Sequence, residues 1–290
     1  MGGQDTPRFV VILGAARSGT SMLRDLIAAH PAVASVPFDV SHIWRRGNDG
    51  QDNDILRPET ATPAVAGAIR DRLTGIARRN AGNDWNDVRY IVEKTVGNAV
   101  RPDFVEAVLP GATYVRLVRD PRHVIASTVA AWKAPPDTGH LMRKLTLFGP
   151  ADLGYMGWYA LNALKGRFSH KRGLQIWGVR YPGIQRDLQT ETLETVCARQ
   201  WLASAQSIDR FFAALPPERG ISVSYEALVG GPHELRRIWS HLGLTDGDRV
   251  EAIFADRVRP SGNREGALPA SLSNDTRSAV QALMTEYGYG

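Results

Sequence analysis

The chain has 290 residues, 43% of them hydrophobic and 22% charged, with a formal net charge of +5. This excludes fibrous and disordered classes and suits one large α/β domain, or one domain with a sizeable insertion. The positive balance fits an anionic ligand; no long basic run, finger spacing or alternating aromatic–basic module supports nucleic acid.

Near the N-terminus, the apolar run Phe9–Leu13 ends at Gly14 and reads as a buried strand. The residues before it lack the basic start, long apolar stretch and cleavage site of a secretion signal. No later stretch approaches the ~20 apolar residues of a membrane span, so the expected location is cytoplasmic. A helix is expected over 19–30, with Met22, Leu23, Leu26 and Ile27 at helical spacing and Pro31 ending it. Residues 32–88 are turn-rich and polar, with a helical stretch near 62–79, and resemble an insertion walling a pocket more than a core βα unit.

Tyr90–Val92 reads as a second strand, followed by Glu93, Lys94 and Thr95, and a helix is expected over 101–108. Thr113–Val118 reads as a third strand running into Arg119. Asp120 and Pro121 have the chemistry of a helix cap and first turn, which places a helix over 121–132. Beyond Trp132 comes the proline- and glycine-punctuated run PPDTGH, followed by helical material to about Phe168. A helix over 191–215 contains the single cysteine, Cys197, in an apolar context that marks a structural thiol and excludes a disulfide framework. A fourth strand over 221–224, a helix from Glu226 to about Gly243, a glycine-bearing loop within 256–266 and a helix over 273–286 complete the chain. Short β-rich runs alternating with helices imply a central parallel sheet flanked by helices. Ligands in such sheets sit beyond the carboxyl ends of the strands, where Arg17, Glu93 and Arg119 converge.

Three groups of residues carry chemistry. Between the first strand and helix lies Gly14-Ala-Ala-Arg17-Ser18-Gly19-Thr20-Ser21. Its glycines permit a tight turn presenting N–H groups and a helix N-terminus to an anion. The spacing is close to the phosphate loop GxxxxGK followed by Ser or Thr. Thr20 stands where a nucleotide triphosphatase requires lysine, and the charge has moved to Arg17, which argues against magnesium-dependent hydrolysis. Arg119 and Ser127 supply a second anion-gripping pair, so the two groups together describe a ligand with two separated anionic groups. At the second strand's end, Glu93 can accept a hydroxyl proton and Lys94 can neutralise developing charge. No metal-ligand cluster is visible.

With these motifs, and with VSYEALV at 223–229 followed by SHLGL, the chain resembles the PAPS-dependent sulfotransferase superfamily, in particular its bacterial and Golgi-type carbohydrate branch. PAPS is 3′-phosphoadenosine-5′-phosphosulfate, and its desulfated product is PAP. The resemblance implies one sulfotransferase domain over 1–290, with 32–88 and 133–180 on the acceptor side and 256–266 covering the cofactor. It implies that Arg17, Ser18, Gly19, Thr20 and Ser21 hold the 5′-phosphosulfate in a P-loop-like loop, and that Arg119 and Ser127 hold the 3′-phosphate, with Arg264 a further contact. Glycan-modifying relatives use the glutamate of EKS/T as base, which points to Glu93; protein-tyrosine relatives use a glutamate a few residues after the first helix, a base here absent or replaced by Asp39, so the resemblance favours Glu93 and leaves Asp39 as the alternative. The expected acceptor is a hydroxyl on a carbohydrate, glycolipid or small natural product. The rival readings are a P-loop-like small-molecule kinase and a non-catalytic PAP- or PAPS-binding protein.

Overall fold

In a computed structural model of the chain, the described residues are 6–134, 176–245, 249–258 and 266–290. The backbone divides into a main unit, Met1–Lys133 with Gly178–Gly290, and a second unit, Ala134–Trp177. The second unit falls almost wholly outside the described residues, as do expected helical material up to residue 168 and most of the 256–266 loop.

The first half of the main unit comprises β1 (Arg8–Leu13), α1 (Thr20–Ile27), β2 (Val33–Ser35), α2 (Ser41–Trp44), α3 (Pro63–Ala81), β3 (Tyr90–Glu93), α4 (Pro102–Val108), β4 (Thr113–Val118) and α5 (Pro121–Lys133). It continues with α6 (Ile184–Thr190), α7 (Leu193–Ala214), β5 (Gly220–Ser224), α8 (Tyr225–Gly230), α9 (His233–His241), α10 (Val250–Arg257) and α11 (Asn274–Glu286). The strands pair in the order β2-β3-β1-β4-β5, every pair parallel. Val10 lies between Val92 of β3 and Thr113 of β4, which fixes the central register.

The inner strands are covered on both faces, and so β1 and β3 carry nearly continuous buried runs, whereas the edge strand β5 alternates buried Ile221 and Val223 with an exposed Ser222. Val10, Ile12, Val92, Val115, Leu117, Ile221 and Val223 pack with Leu23, Leu26 and Ile27 of α1 and with Leu235, Ile238 and Trp239 of α9. On the opposite face, Tyr114 meets Phe211 of α7 edge to face at 4.7 Å. Each such buried aliphatic side chain contributes roughly 1.5–3 kcal/mol.

The four expected strands are present with ends within one residue. The segment 32–88 departs from its sequence reading in contributing β2, a true edge strand of the sheet; the helical stretch expected near 62–79 is α3, which buries Ile69, Leu73 and Ile76. α3 begins at Pro63 behind a Thr62 cap that accepts from the Val65 amide. Asp120 caps α5 as its chemistry suggests, accepting from the Arg122 amide at 2.8 Å while Arg122 returns a two-pronged ion pair.

Candidate functional site

The turn from β1 into α1 is wound by two residues in the left-handed region, Arg17 at φ 68° and Gly19 at φ 96°. For a side chain like arginine this conformation costs roughly 1–2 kcal/mol, and such strain persists only where neighbours enforce it. Here the Ser18 amide bonds back to the Ala15 carbonyl at 3.2 Å. Gly19 is the N-cap of α1 and provides no side-chain cap, so the positive end of the helix faces outward from the sheet edge. Ser18 and Thr20 are buried, while the Arg17 and Ser21 side chains are exposed.

Arg17 reaches across to α5, where its Nε donates to Ser127 Oγ at 3.0 Å. Arg119, at the end of β4, donates through Nη1 to the Arg17 carbonyl at 3.1 Å. The two basic anchors that sequence assigned to separate ends of a ligand thus form one cluster beyond β1 and β4. The Arg119 guanidinium lies 3.8 Å over the Tyr225 ring, a cation–π stack that fixes its plane. Its Nε is buried with no hydrogen-bond partner among the described residues. Tyr225 also packs on the loop: a Cβ at Gly19 would lie 2.7 Å from its ring. The adjacent Glu226 accepts from the Asp120 amide at 3.3 Å and from the Tyr289 hydroxyl at 2.6 Å. The start of α8 therefore clamps both anion-facing turns.

Glu93 and Lys94 leave β3 on the same edge. Glu93 is fully buried, at 0% exposure. Its Oε1 accepts from Trp44 Nε1 at 3.1 Å and from Thr95 Oγ1, and its Oε2 from Asn98 Nδ2 at 3.0 Å. Burial pushes its carboxyl above the usual range, against the Thr95 and Trp44 hydrogen bonds. Asp39 is half-buried. Its Oδ2 accepts from the Val96 amide at 2.8 Å and its Oδ1 from the Ser41 amide at 3.1 Å. Burial opposes its charge, but the Lys94 ammonium and these amides outweigh burial and hold the carboxyl below its ordinary value. Two carboxylates around one lysine are driven apart in proton affinity.

Arg17, Ser18, Gly19, Thr20, Ser21, Glu93, Lys94, Arg119 and Ser127 all fall on the carboxyl edge of the sheet, and Arg264 lies outside the described residues. Sequence reasoning left Asn98 and the clamping role of Tyr225 unremarked; the Tyr-Glu pair directly at a strand end was the available signal for the latter. Trp44 is fully buried behind Glu93, to which its indole donates. Among the described residues no group of three His, Cys, Asp or Glu side chains is arranged to hold a metal ion, and no helix is long and apolar enough to cross a membrane.

A family model described as the sulfotransferase family matches residues 7–177. A search of curated protein sequences gave no significant match. Among solved structures, the sulfotransferase domain from the curacin biosynthetic pathway aligns over 98% of this chain and 99% of its own, with 19% identity and a TM-score of 0.51. That likeness is one of fold. The sulfotransferase domain of a Synechococcus olefin synthase aligns over 96% of this chain and 94% of its own, at 17% identity and TM-score 0.48. A sulfotransferase from Mycobacterium tuberculosis aligns over 96% of this chain and 76% of its own, at 13% identity and TM-score 0.48.

Proposed function

Because the chain belongs to the sulfotransferase family, we propose that it moves a sulfuryl group from PAPS to an acceptor hydroxyl, yielding a sulfate ester and PAP. The observation that carries this reading is the Arg17–Ser127–Arg119 cluster, stacked on Tyr225 beside the uncapped start of α1. It supplies fixed cationic donors and a helix N-terminus, the two devices that suit phosphate and phosphosulfate. The buried Arg119 Nε, without a hydrogen-bond partner among the described residues, is a donor that an anion would satisfy. The loop from Gly14 to Ser21 would hold the 5′-phosphosulfate, and Arg119 and Ser127 the 3′-phosphate, with Arg264 of the 256–266 loop a further contact. The whole chain would act as one sulfotransferase domain in the cytoplasm, with 32–88 and 133–180 flanking the acceptor.

In the transfer, the acceptor oxygen forms a bond to sulfur as the bond from sulfur to the 5′-phosphate oxygen breaks. Arg17 and Lys94 neutralise charge on the departing phosphate, and most of the acceleration comes from positioning and fixed charge. The acceptor proton goes to Asp39. The geometry supports Asp39 over Glu93 for this step: Asp39 is part-exposed and held ionised beside Lys94, whereas Glu93 is sealed in and bonded by three donors. No metal enters this scheme. The acceptor we propose is a hydroxyl of a carbohydrate, a glycolipid or a small natural product.

Calorimetric titration with PAP, on the wild type and Arg119→Ala with ADP as control, tests the donor site. Loss of one charged hydrogen-bonding partner weakens binding by about 1.5–3 kcal/mol, or roughly 13- to 160-fold. Magnesium-independent binding of PAP over ADP, weakened in the variant, is expected. Equal binding of both nucleotides, or none, overturns the proposal and returns the kinase-like reading.

A further inference from the structure

Behind the two carboxylates lies a cation that the transfer scheme does not use. Arg101, at the N-cap of α4, is 1% exposed. Its Nε donates to Asn98 Oδ1 at 2.9 Å, while Nη1 and Nη2 are buried with no hydrogen-bond partner among the described residues. The guanidinium lies against the backbone at Gly97, where a Cβ would come within 3.0 Å of Nη2. Burial lowers its pKa to about 10, against the favourable charges of Asp54, Asp39 and Glu93. A buried arginine with most of its donors unused is expensive to keep, and one doing nothing but packing would be replaced by a hydrocarbon without loss.

Its surroundings give it a task. Because Arg101 Nε takes the Asn98 oxygen, the Asn98 amide nitrogen is left facing Glu93 Oε2. Glu93 in turn receives the Thr95 hydroxyl, and that same oxygen accepts from the Val40 amide at 3.2 Å. Val40 follows Asp39, and Val96, next to Thr95, donates its amide to Asp39. The chain of contacts runs from Arg101 through Asn98, Glu93 and Thr95 to the backbone that carries Asp39, and it crosses from the β3 side of the sheet to the β2 side. No carboxylate makes an ion-pair contact with Arg101 among the described residues, so its charge is left to act through space on all three carboxylates. The other charge acting on Asp39 and Glu93 is Lys94 at the end of β3, while Asp54 and Arg45 act on Arg101 itself, Asp54 being paired with Arg45 at 3.0 Å and with Arg180 at 3.2 Å.

We propose that Arg101 is a positioning residue of the transfer site, a buried cation that orients Glu93 through Asn98 and keeps Asp39 ionised and aimed beside Lys94. The inference rests on the reading of Asp39 as proton acceptor. It assigns Glu93 the role of a relay within the wall.

Carboxyl carbon NMR titration of the full chain without ligand tests it, with Asp39→Asn and Glu93→Gln identifying the two signals. In Arg101→Met the midpoints of both carboxyls rise, Glu93 because Asn98 loses the partner that orients it and Asp39 because a buried cation behind it is gone. In Arg101→Lys, which keeps the charge, the Asp39 midpoint returns most of the way to wild type. Midpoints unmoved in Arg101→Met, or moved equally in Arg101→Lys, overturn the proposal. Should Arg101→Met fail to fold by circular dichroism, Asn98→Ala takes its place: it cuts the relay but keeps the charge, so the Glu93 midpoint alone rises. An unmoved Glu93 there refutes the relay. PAP titration of the wild type reports on the donor site independently: lack of PAP binding would remove the transfer reading while the midpoints still decide the part played by Arg101.

Discussion

Replacing Gly19 with alanine probes the junction of the anion-facing loop and the clamp above it. Two penalties follow from the geometry. At φ 96° an L-residue is strained by roughly 1–2 kcal/mol. The new methyl would also lie 2.7 and 2.8 Å from two carbons of the Tyr225 ring, and displacing a packed ring costs about 1–3 kcal/mol. The expected destabilisation is therefore about 2–5 kcal/mol, the sum of these two ranges. Because the ring supports Arg119, PAP binding should weaken too, by an amount comparable to losing one charged contact, roughly 13- to 160-fold. Urea unfolding and calorimetry measure the two effects. Adding Tyr225→Leu should recover the steric part and leave the backbone part, a coupling of about 1–3 kcal/mol in a double-mutant cycle. A Gly19→Ala protein within about 0.5 kcal/mol of wild type, binding PAP equally well, would refute the account of the junction.

Asp39→Asn should lower kcat by about 100- to 10,000-fold, the usual contribution of a general base, and leave PAP affinity intact; wild-type turnover would exclude Asp39 as base. Glu93 titrates in the opposite sense from Asp39. Its folded pKa lies above the reference 4.5, so between 4.5 and that folded value the native state holds a proton that the unfolded chain releases. Stability therefore falls as pH rises through this window, and Glu93→Gln should remove that slope in urea midpoints measured from pH 4.5 to neutrality. Asp39, with its pKa lowered from 3.8, contributes stability above 3.8 that is lost as pH falls through its folded value, which Asp39→Asn should abolish. Cys197 is 1% exposed and its thiol is pushed up to about 12 by burial. A disulfide reagent at pH 8 should label it only in urea; rapid labelling of the folded chain would contradict its burial.

How much of this was legible in the sequence depended on which residues needed partners from elsewhere. β1 and β4 are largely apolar runs and β5 alternates Ile221 and Val223 with glycine and serine, and these patterns are local properties of the sequence. β2 was missed because it is only Val33-Ala34-Ser35, with one β-branched residue; its strand character comes from pairing with β3, a long-range contact that no run length reveals. The candidate edge was legible because Lys94 and Arg119 each directly follow a strand and Arg17 lies in the loop that leaves β1. The choice between Glu93 and Asp39 was not, since residue type is silent on burial: pairing of β2 with β3 brings Asp39 to Lys94 and seals Glu93 beneath Trp44. The bridge from Arg17 to Ser127 likewise joins two local motifs through the β1–β4 pairing.

Tyr225 stands at the end of β5, the last strand to be synthesised, yet it props the loop that follows β1 and the arginine that follows β4. A ribosome would thus deliver the loop and Arg119 well before the ring that packs on both, and on the proposed reading the donor site is unfinished until that ring arrives. PAP or its sulfated parent would find purchase only on the completed molecule. It would act there by mass action, deepening the native basin in proportion to its free concentration, and would offer no guidance to the nascent chain. On that reading a donor's free concentration would raise the share of chains held folded without hastening the steps that come before the ring is in place.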